Sequence, residues 1–104
     1  MTTAYVALGS NLGDRRDLID RAVRALSDVA GVRLLTRSSL YETAPVGGPA
    51  GQGAYLNAVV AVDTSLSPGE LLARCLEIEA GLGRVREMKD GPRTIDLEIG
   101  RAHV

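Results

Sequence analysis

Apolar and polar positions along this chain follow two rhythms, and the switches between them divide it into strands and helices. Residues 4–8 form a compact apolar run that reads as a buried strand. It ends in Gly9-Ser10-Asn11-Leu12-Gly13-Asp14, a tight turn into a helix. There Leu18, Ala22, Ala25, Leu26 and Val29 recur on one side, with Arg15, Arg21, Arg24 and Asp28 mostly on the other. Gly31 is expected to end that helix. Residues 32–43, rich in Leu, Thr, Ser and Tyr, read as a second strand. Four glycines and two prolines within residues 44–53 predict a mobile loop. Residues 55–62 read as a third strand, apolar enough in its second half to lie centrally. Ser67-Pro68-Gly69-Glu70 is a helix start with a capping serine, a first-turn proline and a capping-box glutamate. Leu71, Leu72, Cys75, Ile78, Glu79 and Leu82 follow, then Gly83. After the charged connection 84–90, Gly91-Pro92 turns into a run where Ile95, Leu97 and Ile99 alternate with Thr94, Asp96 and Glu98. Period two marks a half-buried strand.

The order is βαββαβ, with both helices able to lie on one face of an antiparallel sheet: an α+β, ferredoxin-like arrangement. That fold serves many functions and decides none. A length of 104 residues suits one domain. With three Tyr and no Phe or Trp, the core must be built from Val, Leu, Ile and Ala. The net charge of −1 gives no electrostatic support for nucleic-acid binding. An RNA-recognition sheet would need basic and stacking aromatic residues that the chain lacks. One cysteine, Cys75, excludes an internal disulfide and fits a reducing compartment. Without a membrane-length apolar run or a charged-then-apolar leader, a cytoplasmic protein with no membrane partner is expected.

Candidate chemistry gathers at strand ends and loops. On a strand, Asp96 and Glu98 share a face with Cα atoms about 7 Å apart. Two such carboxylates repel unless a cation lies between them, and hard oxygen donors suit Mg²⁺. Arg93 adds a fork for phosphate; Arg84 and Arg86, also at period two, could join it in neutralising a polyphosphate. Ordinary solvated charges account for these residues equally well. Tyr55 and Asn57 share a strand face near Thr43, as partners for a flat heterocycle or as edge-strand polar residues. Gly9-Ser10-Asn11 could offer backbone donors to an anion, or is a plain turn. Glu79, on the apolar side of the second helix, is a peripheral acid or an acceptor for a ribose or base. Cys75 reads as core, and His103 lies beside the chain end.

Taken together, the segments Tyr5-Val6-Ala7-Leu8-Gly9-Ser10-Asn11-Leu12-Gly13, Ser38-Ser39-Leu40-Tyr41-Glu42-Thr43-Ala44-Pro45 and Tyr55-Leu56-Asn57-Ala58 resemble the hydroxymethyl-dihydropterin pyrophosphokinase family of folate biosynthesis. Gly83-Arg84-Val85-Arg86 and Gly91-Pro92-Arg93-Thr94-Ile95-Asp96-Leu97 complete the match in the family's order. The resemblance implies pyrophosphoryl transfer from ATP to the hydroxymethyl group of 6-hydroxymethyl-7,8-dihydropterin, releasing AMP. It implies two Mg²⁺ ions on Asp96 and Glu98, a pterin pocket of Thr43, Ala44, Val46, Tyr55 and Asn57, and a nucleotide side of Glu79, Arg84, Arg86 and Arg93. Arg84, Arg93 and Asp96 are the expected catalytic set, and the Gly/Pro loop would close over ATP. Partners are then ATP and a reduced pterin, in a parent that is monomeric or fused to other folate enzymes.

The chain departs from the family pattern in three ways. Glu98 stands where the family has Asp, and Asp90 where many members have an aromatic that stacks on the pterin. The family continues past the acid strand with further strands, a helix and His, Arg and aromatic residues. Residues 99–104 match one frame of a common sequencing-library adapter, which would also turn a clipped Asp codon into Glu98. Residues 1–98 are therefore expected to be the pyrophosphokinase core, 99–104 a non-native tail, and this chain inactive beside an active parent. The alternative is a non-catalytic ferredoxin-like module that binds a small ligand or a protein.

Overall fold

In a computed structural model the described residues are 1–44, 53–83 and 96–101, the side chains of Asp96 and Arg101 excepted. Their elements are β1 (Thr2–Ser10), α1 (Arg15–Ser27), β2 (Val32–Arg37), β3 (Tyr41–Thr43), β4 (Tyr55–Thr64), α2 (Pro68–Gly81) and β5 (Asp96–Arg101). The strands form one antiparallel sheet in the order β2-β4-β1-β5, with β3 also on β4. Strand β1 lies between β4 and β5, so β1-α1-β2 and β4-α2-β5 each skip over a neighbour. This is the split arrangement expected of a ferredoxin-like α+β domain.

The predicted strand 32–43 is two strands. A register shift falls between Leu34 and Thr36, and the ladder then breaks at Ser38. There the backbone N–H of Ser38 donates to Val59 O, and Ser38 Oγ accepts the Val59 N–H, both at 2.8 Å. A hydroxyl thus takes over one ladder position while Leu40 packs against the core, before β3 resumes pairing at Tyr41.

One face of the sheet is covered. Val6 and Leu8 of β1, Ala58, Val60 and Val62 of β4, and Leu97 of β5 meet Ile19, Ala22, Val23 and Leu26 of α1 and Leu71 and Cys75 of α2. The α1 stripe is set one position away from the expected one. Ile19 and Val23 are fully inside, whereas Leu18, Ala25 and Val29 are only half-buried. Spacing of 19, 22, 23 and 26 is the tighter helical match. Helix α1 also ends before Gly31: Asp28 is its C-cap, with its N–H 3.1 Å from Arg24 O. Gly31, at φ +86°, instead turns the chain into β2 and presents its carbonyl to Thr64 Oγ1 (2.8 Å) and Ser65 N (3.0 Å). A Cβ there would lie 2.8 Å from Ser65 Oγ.

Helix α2 starts as expected. Ser67 Oγ accepts the Glu70 N–H (3.2 Å), and Glu70 Oε1 accepts the Ser67 N–H (3.0 Å). Gly83, at φ +89°, follows the C-cap Leu82 and donates its N–H to Ala80 O (3.2 Å). No described helix is long and apolar enough to cross a membrane.

Truncating Ile19, wholly enclosed between α1 and the sheet, to Ala should cost about 2–5 kcal/mol in denaturant unfolding. A cost below about 1 kcal/mol would contradict the core assigned to α1. The backbone bond from Ser67, then its side-chain bond, holds the Glu70 carboxyl below its ordinary 4.5. A depressed folded value means that this contribution is complete above the unfolded value and is lost as pH falls through the folded one. Glu70→Gln should therefore flatten the fall in thermal stability below pH 4.5, and an unchanged acid limb would count against the capping box as its source.

Candidate active site on the open face of the sheet

The face turned away from the helices gathers the polar side chains that alternation predicts. Directly opposed residues of an antiparallel ladder share a face. Because Gly9 pairs with both Asn57 and Asp96, and Asn57 with Tyr41, one row crosses the sheet as Tyr41, Asn57, Gly9 and Asp96. The next row carries Val59, Ala7 and Glu98. Asn57 and Asp96 therefore stand two strand spacings apart, about 10 Å at their Cα atoms.

Asn57 is the organised member of this row. Its Nδ2 donates to Thr43 Oγ1 (2.9 Å), Tyr41 O (3.1 Å) and Tyr55 O (3.3 Å). These acceptors fix which end of the amide is nitrogen and leave Oδ1 turned over Gly9. The Thr43 hydroxyl accepts from Asn57, so its own proton is left to donate elsewhere. A Cβ on Gly9 would lie 3.1 Å from Asn57 Oδ1 and 3.3 Å from Tyr55 Cδ1, so glycine makes room for both side chains.

Three further contacts hold the two ends of segment 44–54. Asn11 Nδ2 donates to Gly53 O (3.3 Å), and Arg15 Nη1 to Ala54 O (2.9 Å). Arg15 Nη2 also pairs with Glu42 Oε1 at 3.1 Å, ahead of the segment. Arg15 and the side chain of the buried Asn11 thus brace the ends of this segment, a role that sequence reasoning missed. The only signal was position, since both lie where the β1-α1 turn meets the loop ends.

The expected pterin set divides. Thr43, Tyr55 and Asn57 come together, and Ala44 follows β3 in an exposed position. Val46, Arg84, Arg86 and Arg93 lie outside the described residues. Glu98 is exposed on β5, and the backbone of Asp96 pairs with Gly9. Glu79 is 2% exposed, and its Oε2 accepts the Leu97 N–H at 2.8 Å. That bond turns Oε2 toward strand β5. Burial, and secondarily the charge of Glu79, push the Cys75 thiol up to about 11, which removes it as a nucleophile at neutral pH.

Among the described residues no three His, Cys, Asp or Glu side chains cluster for a metal. Two adjacent strand acids still fit Mg²⁺. This ion is commonly held by one or two carboxylates, with phosphate and water oxygens completing an octahedron.

These features define a ferredoxin-like domain whose helix-free face carries the bonded Asn57 amide on β4 and, two strands away, the exposed Glu98 on β5. A family profile described as 7,8-dihydro-6-hydroxymethylpterin-pyrophosphokinase (HPPK) matches residues 5–102, and the chain belongs to that family. It is 50% identical over 99 residues to a 2-amino-4-hydroxy-6-hydroxymethyldihydropteridine pyrophosphokinase of Methylorubrum extorquens, covering 95% of this chain and 62% of the relative. A protein of the same name from Bacillus subtilis is 50% identical over 96 residues, covering 92% of this chain and 57% of the relative. The bifunctional protein FolKE of Lactococcus lactis is 40% identical over 99 residues, covering 95% of this chain and 28% of that protein. The chain thus spans about three fifths of the length of the first two relatives.

Replacing Gly9 by Ala should cost about 1–3 kcal/mol through overpacking and shift the Asn57 side-chain amide resonances. Unchanged stability together with unchanged Asn57 resonances would show that this close approach places no demand on Gly9.

Proposed function

We propose that this chain carries the pterin-reading and acid-bearing parts of an enzyme that transfers pyrophosphate from ATP to the hydroxymethyl group of 6-hydroxymethyl-7,8-dihydropterin. The row from Asn57 through Gly9 to Asp96 supports this reading, because a ring read by the Asn57 amide would lie on the side of the sheet toward the strand of Asp96 and Glu98. A flat ring lying against Tyr55 would meet Asn57 Oδ1 as acceptor and the Thr43 hydroxyl as donor. Such a complementary edge rejects rings that lack the matching donors and acceptors. Ala44 and Val46 would supply the remaining wall through their backbone.

Asp96 and Glu98 would hold Mg²⁺, two ions in the full site. Bound there, the metal would supply charge neutralisation for the triphosphate and the leaving AMP. Arg84, Arg86 and Arg93 would grip phosphate oxygens. Their guanidinium forks bind in fixed geometry and need give up no proton. Transfer of this kind depends on alignment and charge, so no covalent nucleophile is required. A cytoplasmic setting, consistent with a lone buried thiol at Cys75, belongs to the same reading. Fusion to another folate enzyme is an arrangement that the bifunctional relative makes plausible.

The decisive assay is AMP and pterin pyrophosphate formation, by the 104-residue chain and by the chain joined to whatever follows it in the source DNA. The longer form should turn over and the shorter should not. Asp96→Ala in the longer form should abolish transfer and remove the Mg²⁺-dependent part of ATP binding. Asn57→Ala should weaken pterin binding at least tenfold, about 1.4 kcal/mol, with little effect on ATP. Full transfer by the Asp96 variant would overturn the acid-pair assignment, and unchanged pterin affinity would overturn the role of Asn57.

A further inference from the structure

Glu79 is a carboxylate enclosed on the inner face of α2, at 2% exposure. Placing an acid there is unfavourable unless a donor meets it. One such donor is the backbone N–H of Leu97, 2.8 Å from Oε2. Leu97 sits between Asp96 and Glu98 on β5, which pairs with β1 and has no second neighbour among the described strands. In an antiparallel pair alternate residues turn their N–H away from the neighbour, and at a sheet edge those donors need another acceptor. Glu79 provides one from the helix. The same helix leads directly through Gly83 into Arg84 and Arg86.

We infer that Glu79 is a positioning residue: it ties α2 to Leu97 and so fixes the pitch of β5 on which Asp96 and Glu98 project together. This rests on the acid-pair reading proposed above and assigns Glu79 a task distinct from direct contact with nucleotide. Among the described strands β5 pairs with β1 alone, so a tie at Leu97 bears on whether its two acids keep a common face and spacing. What the task requires is an acceptor oxygen at that point, not the negative charge itself.

The test reads Mn²⁺ binding in the absence of nucleotide, by the free-ion electron paramagnetic resonance signal, together with amide exchange at Leu97. Glu79→Gln keeps an acceptor and should leave Mn²⁺ affinity within about twofold of the parent. Glu79→Leu keeps the volume but removes the acceptor. It should weaken Mn²⁺ binding at least fivefold and speed Leu97 exchange at least tenfold while the fold persists by circular dichroism. Parent-like Mn²⁺ affinity in a folded Glu79→Leu variant overturns the inference, and so does an equal loss in both variants. Should the Leu variant not fold, the parent decides, because metal and tie must strengthen each other reciprocally. Saturating Mg²⁺ should then slow Leu97 exchange at least fivefold, and no slowing overturns the inference. If the parent and Asp96→Ala bind Mn²⁺ equally, the acid-pair reading fails first and takes this inference with it. That outcome is visible before Glu79 is altered.

Discussion

The constraint on which everything else depends is the double pairing of β1. One strand fixes the register of β4 on one side and of β5 on the other. A slip of one residue in either ladder would invert that neighbour's faces. Val60 and Val62 would leave the core with one slip, Leu97 with the other, so burial enforces both registers. The same enforcement aligns the opposite face. Asn57 and Asp96 flank Gly9 in register because Leu8 and its neighbours must point inward. The row is a by-product of core formation, which explains how a surface with few contacts of its own keeps its geometry.

Gly9 shows what such a surface demands of sequence. The inward positions of β1 tolerate any apolar residue of suitable volume, but the row needs a gap where Asn57 Oδ1 and Tyr55 approach the backbone. Stability and site geometry meet in this one strand and ask different things of alternate residues. Rigidity then declines outward. Asn57 is held by three acceptors, whereas the support from Arg15 is one carbonyl contact and a partly exposed ion pair. Exposed pairs of this kind contribute at most about 1 kcal/mol. Arg15 therefore holds the loop ends less firmly than β4 holds Asn57.

The fold was legible because several kinds of local signal agree. A compact apolar run marks β1, alternation marks β5, the capping box marks α2, and Tyr55 and Asn57 share a face simply by being two apart. What sequence could not show depends on who meets whom across the chain. The break at Ser38 arises from a hydroxyl meeting Val59, 21 residues away, and no pattern within residues 32–43 announces it. The phase of α1 was misplaced because Leu18 and Ile19 are both apolar, and only packing decides that Ile19 and Val23 go inside. Gly31 looked like a helix terminator because its left-handed conformation serves a terminator and a strand-entry turn alike.

Glu79 is the case where structure adds most to the sequence. From sequence, an acid on the apolar side of this helix is a peripheral residue or an acceptor for a ribose or base, and the family resemblance points to the nucleotide side. Its enclosure against Leu97 gives the carboxylate a partner inside the protein. An enclosed carboxylate loses several kcal/mol of hydration, and a bond from a backbone N–H to a charged acceptor returns about 1.5–3 kcal/mol of it. That bond joins α2 to the strand that carries Asp96 and Glu98.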